Sequence, residues 1–245
     1  MLRGAGPLML RGAGLTHPGK LRERNEDAIL TDPEGVLWAV ADGMGGYGHG
    51  DMASDMVIDR LAALSDSAPA GPGLRMQIDE ANRAIRAKAA EPGMNAMGAT
   101  VVAVMIQNGA ATIAWVGDCR AYLWRRAELR LLTRDHTVVQ EMVDQGLLRA
   151  DAREAHPERH VVTRAVGAEA QVDVDTLTLP LVAGDRLVLC SDGLTTALHD
   201  ADIARLAGAA PTPDALCRAL VTQTLMAGAP DNVSVVCIFA LGSRR

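Results

Sequence analysis

Four aspartates stand where apolar runs meet turns. The run VLWAVA leads into Asp42-Gly43, TIAWV into Gly117-Asp118, and RLVLCS into Asp192-Gly193, while Asp231 in Pro230-Asp231-Asn232 precedes VSVVCIFA. A carboxylate beside a buried strand is costly unless something compensates it, and several aimed at one place repel one another. A hard divalent cation removes both costs, because Mg²⁺ and Mn²⁺ take oxygen ligands and keep waters in their shell. Gly43 and Gly193 leave room beside two of the acids for backbone carbonyls and metal waters. One Asp-Gly step alone reads as an ordinary turn; the set of four reads as a metal centre. The segment Arg22-Glu23-Arg24-Asn25-Glu26-Asp27 adds two further acids, Glu26 and Asp27, and a guanidinium, the fork suited to phosphate oxygens. On its own that segment is equally a solvated charged loop. Metal and arginine together point to a phosphate ester cleaved by metal-bound water.

Such residues need rigid supports. The apolar runs Val36–Ala41, Thr100–Ile106, Ala111–Val116, Ala121–Trp124, Arg186–Cys190 and Val233–Ala240 predict buried strands. Three- and four-residue apolar spacing predicts helices over Asp51–Leu64, Leu74–Ala90 and Pro213–Met226, the last with Thr212 as N-cap and Pro213 in the first turn. Asn108-Gly109 between two apolar runs predicts a hairpin. The order of elements lacks strict βαβα alternation, so the class is α+β, with helices packed on antiparallel sheets. The more polar stretch 135–170 predicts a helix at Val138–Gln145 and an irregular excursion. No linker divides the chain, so a single domain is expected over 15–242. The opening MLRGAGPLMLRGAG repeats MLRGAG; residues 1–14 are set aside as a disordered, start-site or tag-like segment.

Composition narrows the function classes. With 24 basic and 30 acidic residues among 245, the net charge is −6, which argues against nucleic acid and anionic membranes as partners. Aromatic residues make up 2%, too few for stacking platforms. No apolar run reaches the ~18 residues of a membrane span, and no signal-peptide core is present. The four cysteines, Cys119, Cys190, Cys217 and Cys237, form no C-x-x-C pair. Reduced, buried thiols and a cytoplasmic location are expected.

The ordered set R-x-x-N-E-D, A-D-G-M-G-G, G-A-T, G-D-C-R, S-D-G-L and D-N-V-S resembles the metal-dependent serine/threonine protein phosphatases of the 2C type, the PPM family, from about Thr16 to Leu241. It is most similar to the compact, stand-alone bacterial members. The resemblance implies two antiparallel β-sheets packed face to face with helices on both outer faces, and a mobile flap at about 135–170. It implies two core Mn²⁺ or Mg²⁺ ions. Asp42 would bridge them, the Gly43 carbonyl would bind one, and Asp192 and Asp231 would complete the second ion's protein ligands. Glu26 and Asp27 would act through metal-bound water or behind the ligands. Asp118 with Asp192 would form a third, weaker site, and Arg22 would hold the phosphoryl group. A metal-bridging water would attack phosphoserine or phosphothreonine in a protein substrate, a Ser/Thr kinase or its target, and the enzyme would act as a monomer.

Two positions depart from the family pattern. Tyr47 stands where a His is frequent, and Met44 replaces the His proposed as general acid in animal members; a thioether cannot donate a proton, and no other donor stands out. Other patterns carry less. Cys119 and Arg125 fall at C-x₅-R spacing, but the interval Arg-Ala-Tyr-Leu-Trp lacks the glycine-rich phosphate cradle of cysteine phosphatases. His156 and His160 are four apart with Pro157 between them, which disfavours a zinc-binding helix; they read as surface loop. Two other functions compete: a catalytically weak phosphoprotein-binding scaffold of the same fold, and a hydrolase of small phosphate esters. Retention of Asp42, Asp192, Asp231 and Arg22 argues against the scaffold.

Overall fold

The structure, a computed structural model, describes residues 8–32, 35–45, 49–153 and 155–242. Among these described residues, ten strands form two antiparallel sheets. The first runs in the order β1 (Leu8–His17), β10 (Val233–Gly242), β9 (Arg186–Cys190), β6 (Arg120–Arg125), β7 (Glu128–Leu131). The second runs β2 (Asp27–Leu30), β3 (Leu37–Met44), β4 (Gly98–Gln107), β5 (Ala110–Val116), β8 (Asp175–Pro180). The described residues also form six α-helices: α1 (Gly50–Ala62), α2 (Ala70–Ala89), α3 (Val138–Asp144), α4 (Asp192–Ala197), α5 (Asp200–Ala209) and α6 (Pro213–Met226).

Strand alternation builds three apolar layers. Trp38, Val40, Val102, Val104, Leu187, Leu189, Val236 and Ile238 fill the space between the sheets. Their neighbours in sequence point the other way. Leu37, Ala39, Ala41, Val101 and Ala103 pack against Val57 and Leu61 of α1 and Ile78 and Ile85 of α2. Val188, Cys190, Val235 and Cys237 pack against Ile203 of α5 and Leu216 and Leu220 of α6. The strands are apolar on both sides because both sides are covered, which gives the expected helix–sheet–sheet–helix sandwich.

The hairpin falls at Asn108-Gly109, both at positive φ (51° and 74°), between β4 and β5. Helix α6 starts as its sequence predicts, with Thr212 Oγ1 accepting from the Ala215 N–H at 3.2 Å. Four strands escape sequence reading: β1, β2, β7 and β8. The first is a correction, since residues 8–14, set aside from the fold, form most of a ten-residue strand paired along β10 from Leu8↔Gly242 to His17↔Val233. Gly12 and Gly14 lower its strand propensity. Gly12 is required there, because a Cβ would overlap the Trp38 indole. The stretch 135–170 holds α3, a 3₁₀ turn at Ala150–Ala152 and loop, and its stems are pinned by isolated bridges at Thr137↔Val162 and Ala99↔Val166. Tyr47 lies outside the described residues.

Candidate active site

The acids come from four separate places at one end of the sandwich. Asp42 lies inside β3, where register sets it across from Asp27 of β2 and Thr100 of β4. Asp118 occupies the turn between β5 and β6, Asp192 is the first residue of α4, and Asp231 precedes β10. Two carboxyls opposite each other on paired strands repel, and the others add to this. Burial, then Asp27, Asp192, Asp118 and Asp231, push the Asp42 carboxyl well above its ordinary value. Burial, then Asp192 and Asp135, push Asp118 up to about 8. Burial raises Asp27 to about 7 against the hydrogen bonds it accepts.

The polar residues of the motifs hold this geometry. Ser191 Oγ donates to Asp27 Oδ2 at 2.8 Å and accepts from the Ser234 N–H at 3.0 Å. Asn232 Oδ1 accepts from the Glu26 N–H at 2.8 Å, and its Nδ2 donates to the carbonyls of Pro18 and Arg24. One amide thus clamps the 18–26 segment against β10. The Gly43 N–H donates to the Glu26 carbonyl at 3.0 Å, and a Cβ at Gly43 would collide with the backbone of Gly50 and Glu26. Arg22 stands at the rim, its Nε and Nη2 each 2.8 Å from an Asp231 carboxylate oxygen.

Among the described residues, no three His, Cys, Asp or Glu side chains are closed into a ready-made metal shell. The donors nonetheless fit a hard divalent cation. They are all oxygens, their carboxyls are pushed up by burial and then by mutual repulsion, both of which a cation would offset, and buried Asp27 Oδ1 has no hydrogen-bond partner.

Comparison with known proteins agrees. The sequence matches the family profile described as Protein phosphatase 2C over residues 18–228. The chain belongs to the protein phosphatase 2C family. It is 38% identical over 236 residues to the serine/threonine protein phosphatase PstP of Mycobacterium tuberculosis, covering 94% of this chain but only 45% of that protein's length. It is 33% identical to the serine/threonine phosphatase stp of Listeria monocytogenes, covering 91% and 93% of the two chains. A crystal structure of the M. tuberculosis phosphatase PstP/Ppp superposes with TM-score 0.89 at 34% identity, over 96% of this chain and 100% of that one. The PstP catalytic domain described in complex with two manganese ions matches with TM-score 0.85 at 34% identity, over 96% and 100% of the chains. PppA of Pseudomonas aeruginosa, described as a key regulatory component of T6SS, matches with TM-score 0.85 at 35% identity, over 95% and 98%.

In this protein phosphatase 2C chain a cavity of about 390 Å³ opens beside the acids. It is lined by Asp118 and Asp192, by Arg153, Arg159 and His160 of the 135–170 stretch, and by α4. His160 lies in an exposed turn, as expected, and the fold also brings it to the cavity: its Nδ1 stands 3.8 Å from Asp192 Oδ2, and Asp192 raises its pKa. Sequence reasoning missed it because only the tertiary fold brings that loop back over α4. The cysteine alternative fails on geometry. Cys119 is buried with its thiol pushed well above its ordinary value by burial and nearby carboxylates. Arg125 is forked onto Asp185, at 2.7 and 2.6 Å. Met44 closes β3 half-buried.

Proposed function

We propose that this chain hydrolyses phosphoserine and phosphothreonine in a protein substrate, a Ser/Thr kinase or its target, in the bacterial cytoplasm. The observation that carries the reading is the set of four carboxyls, Asp27, Asp118, Asp192 and Asp231, brought from separate elements around Asp42, with an arginine fork at the rim. Asp42, the Gly43 carbonyl, Asp192 and Asp231 would hold two Mn²⁺ or Mg²⁺ ions, Glu26 and Asp27 would stand behind them, and Asp118 with Asp192 would take a third, weaker ion. When bound, the ions supply Lewis acidity toward the phosphoryl oxygens and an activated water.

The chain's own residues do the rest. Arg22 presents two N–H groups in a plane, already matched to paired oxygens on Asp231, and a phosphoryl group offers the same pair. Asn232 and Ser191 keep Glu26 and Asp27 in place. The scaffold reading is not favoured, since all the acids and Arg22 are present. No helix among the described residues is long and apolar enough to cross a membrane.

The test is phosphate release from a phosphothreonine peptide with Mn²⁺, with Mg²⁺ and with EDTA, beside the same assay on a nucleotide. Release only with metal, and faster from the peptide, supports the proposal. Release that persists in EDTA refutes it, and preference for the nucleotide moves the substrate class to small phosphate esters.

A further inference from the structure

His136 is buried, 5% exposed, and sequence reasoning passed over it. It grips a single residue from both sides. The Gly117 N–H donates to His136 Nδ1 at 3.0 Å, and the His136 N–H donates to the Gly117 carbonyl at 2.9 Å. Gly117 has φ +98° and is the residue before Asp118, so both polar groups that orient the Asp118 turn are held by one side chain and its backbone. A neutral imidazole has one N–H. Since Nδ1 faces a donor, the proton is on Nε2, which faces Asp175 Oδ2 at 3.1 Å, with Arg164 Nη1 farther off at 3.5 Å. Trp115 stacks on the ring at 6.3 Å between centroids.

His136 also joins both stems of the 135–170 stretch. Its carbonyl accepts from the Thr163 N–H at 2.8 Å on the returning stem, and Thr137 next to it bridges Val162. Asp135, on its other side, is forked by Arg120 at 2.6 to 3.1 Å, and Arg120 lies two residues beyond Asp118. Any displacement of the stems is therefore transmitted to the Asp118 turn through hydrogen bonds with little slack.

We propose that His136 is a positioning residue that holds the Asp118 turn and couples it to the 135–170 stretch over the cavity. The inference rests on the proposed part of Asp118 in a weaker metal site. Losing Nδ1 would leave a buried N–H unpaired and free the turn; removing an outer partner that orients a metal ligand typically costs about 10–100-fold in affinity, which predicts about a tenfold weakening of that site. Asn at 136 puts an amide oxygen near the place of Nδ1 and should keep the grip, whereas Leu cannot.

The experiment compares wild type, His136→Asn, His136→Leu and Asp175→Asn by Mn²⁺ calorimetry and by steady-state kinetics on a phosphopeptide and on p-nitrophenyl phosphate. Each variant is assayed well below its melting temperature. In His136→Leu the tight pair of ions should stay, the weakest ion should bind about tenfold less well, and kcat on the phosphopeptide should fall more than on p-nitrophenyl phosphate. His136→Asn should restore both readouts, and Asp175→Asn, which still presents an acceptor to Nε2, should change neither. A weak site unmoved by His136→Leu, or equal losses in the Asn and Leu variants, overturns the inference alone. Wild type with no ion weaker than the tight pair removes the reading of Asp118, and this inference with it.

Discussion

Stripping the metal should make the protein's stability depend on pH in a direction opposite to ordinary carboxylate-rich proteins. Asp27 has its carboxyl raised from 3.8 to about 7 by burial, so in the metal-free fold it stays protonated where the unfolded chain has already released its proton. The unfolded state then binds fewer protons than the native state, and stability falls as pH rises between those two values. From pH 5 to pH 7 the Asp27 contribution falls by about 2 kcal/mol, the slope of ~1.4 kcal/mol per pH unit flattening as the group titrates near 7. For a domain of this size that is roughly 4–8 °C in Tm. Asp118, raised to about 8, extends the same fall to higher pH. Mn²⁺ reverses the trend, because its ligands must be deprotonated to bind. The assay is thermal unfolding from pH 5 to 8 in EDTA and in excess Mn²⁺. The EDTA curve should slope downward and the Mn²⁺ curve should be flat or rise. An EDTA curve that is flat or rises over this range would show that these carboxyls are not held protonated by one another and by burial, and the electrostatic case for a cation site would be lost.

EDTA should abolish phosphate release, while Cys119→Ser should keep most of it, because the buried thiol is held protonated and lies 3.1 Å from Thr100 Oγ1; loss of turnover in Cys119→Ser with indifference to EDTA would reverse the mechanism. Arg22→Ala should lower kcat/KM on a phosphopeptide by about 1.5–3 kcal/mol for a lost charged hydrogen bond. It should leave stability within about 1 kcal/mol, since the Arg22–Asp231 pair is exposed; unchanged kinetics would put the phosphate elsewhere. Asp42→Asn should abolish tight binding of the ion pair by calorimetry and leave no measurable turnover, whereas Asp118→Asn should keep the pair and lose activity on phosphoprotein; equal effects of the two would erase the distinction drawn between these acids.

Much of this protein was legible in its sequence, because its strands are buried on both sides and its acids sit at the ends of apolar runs. Continuous runs such as Val36–Ala41 and Val233–Ala240 carry the strand signal without help from alternation, and Thr212-Pro213 and Asn108-Gly109 encode a helix start and a hairpin through local backbone chemistry. The family likewise shows in short ordered motifs. What the sequence could not supply was distance. Residues 8–14 of strand β1 were set aside because the repeated MLRGAG reads as a start-site or tag-like segment; their reason for being a strand lies in β10 and in the Trp38 ring that Gly12 makes room for. Asn232, Ser191 and Ser234 stood inside quoted motifs, yet what they bond is set by contacts 43 to 218 residues away. His160 was read as surface loop and His136 was passed over, because only the folded chain sets one beside Asp192 and locks the other onto Gly117. Local pattern determined which elements form and which acids exist. Tertiary packing alone decided which of them meet, because buried carboxyls feel one another only when separate strands and turns bring their charges into one low-dielectric place.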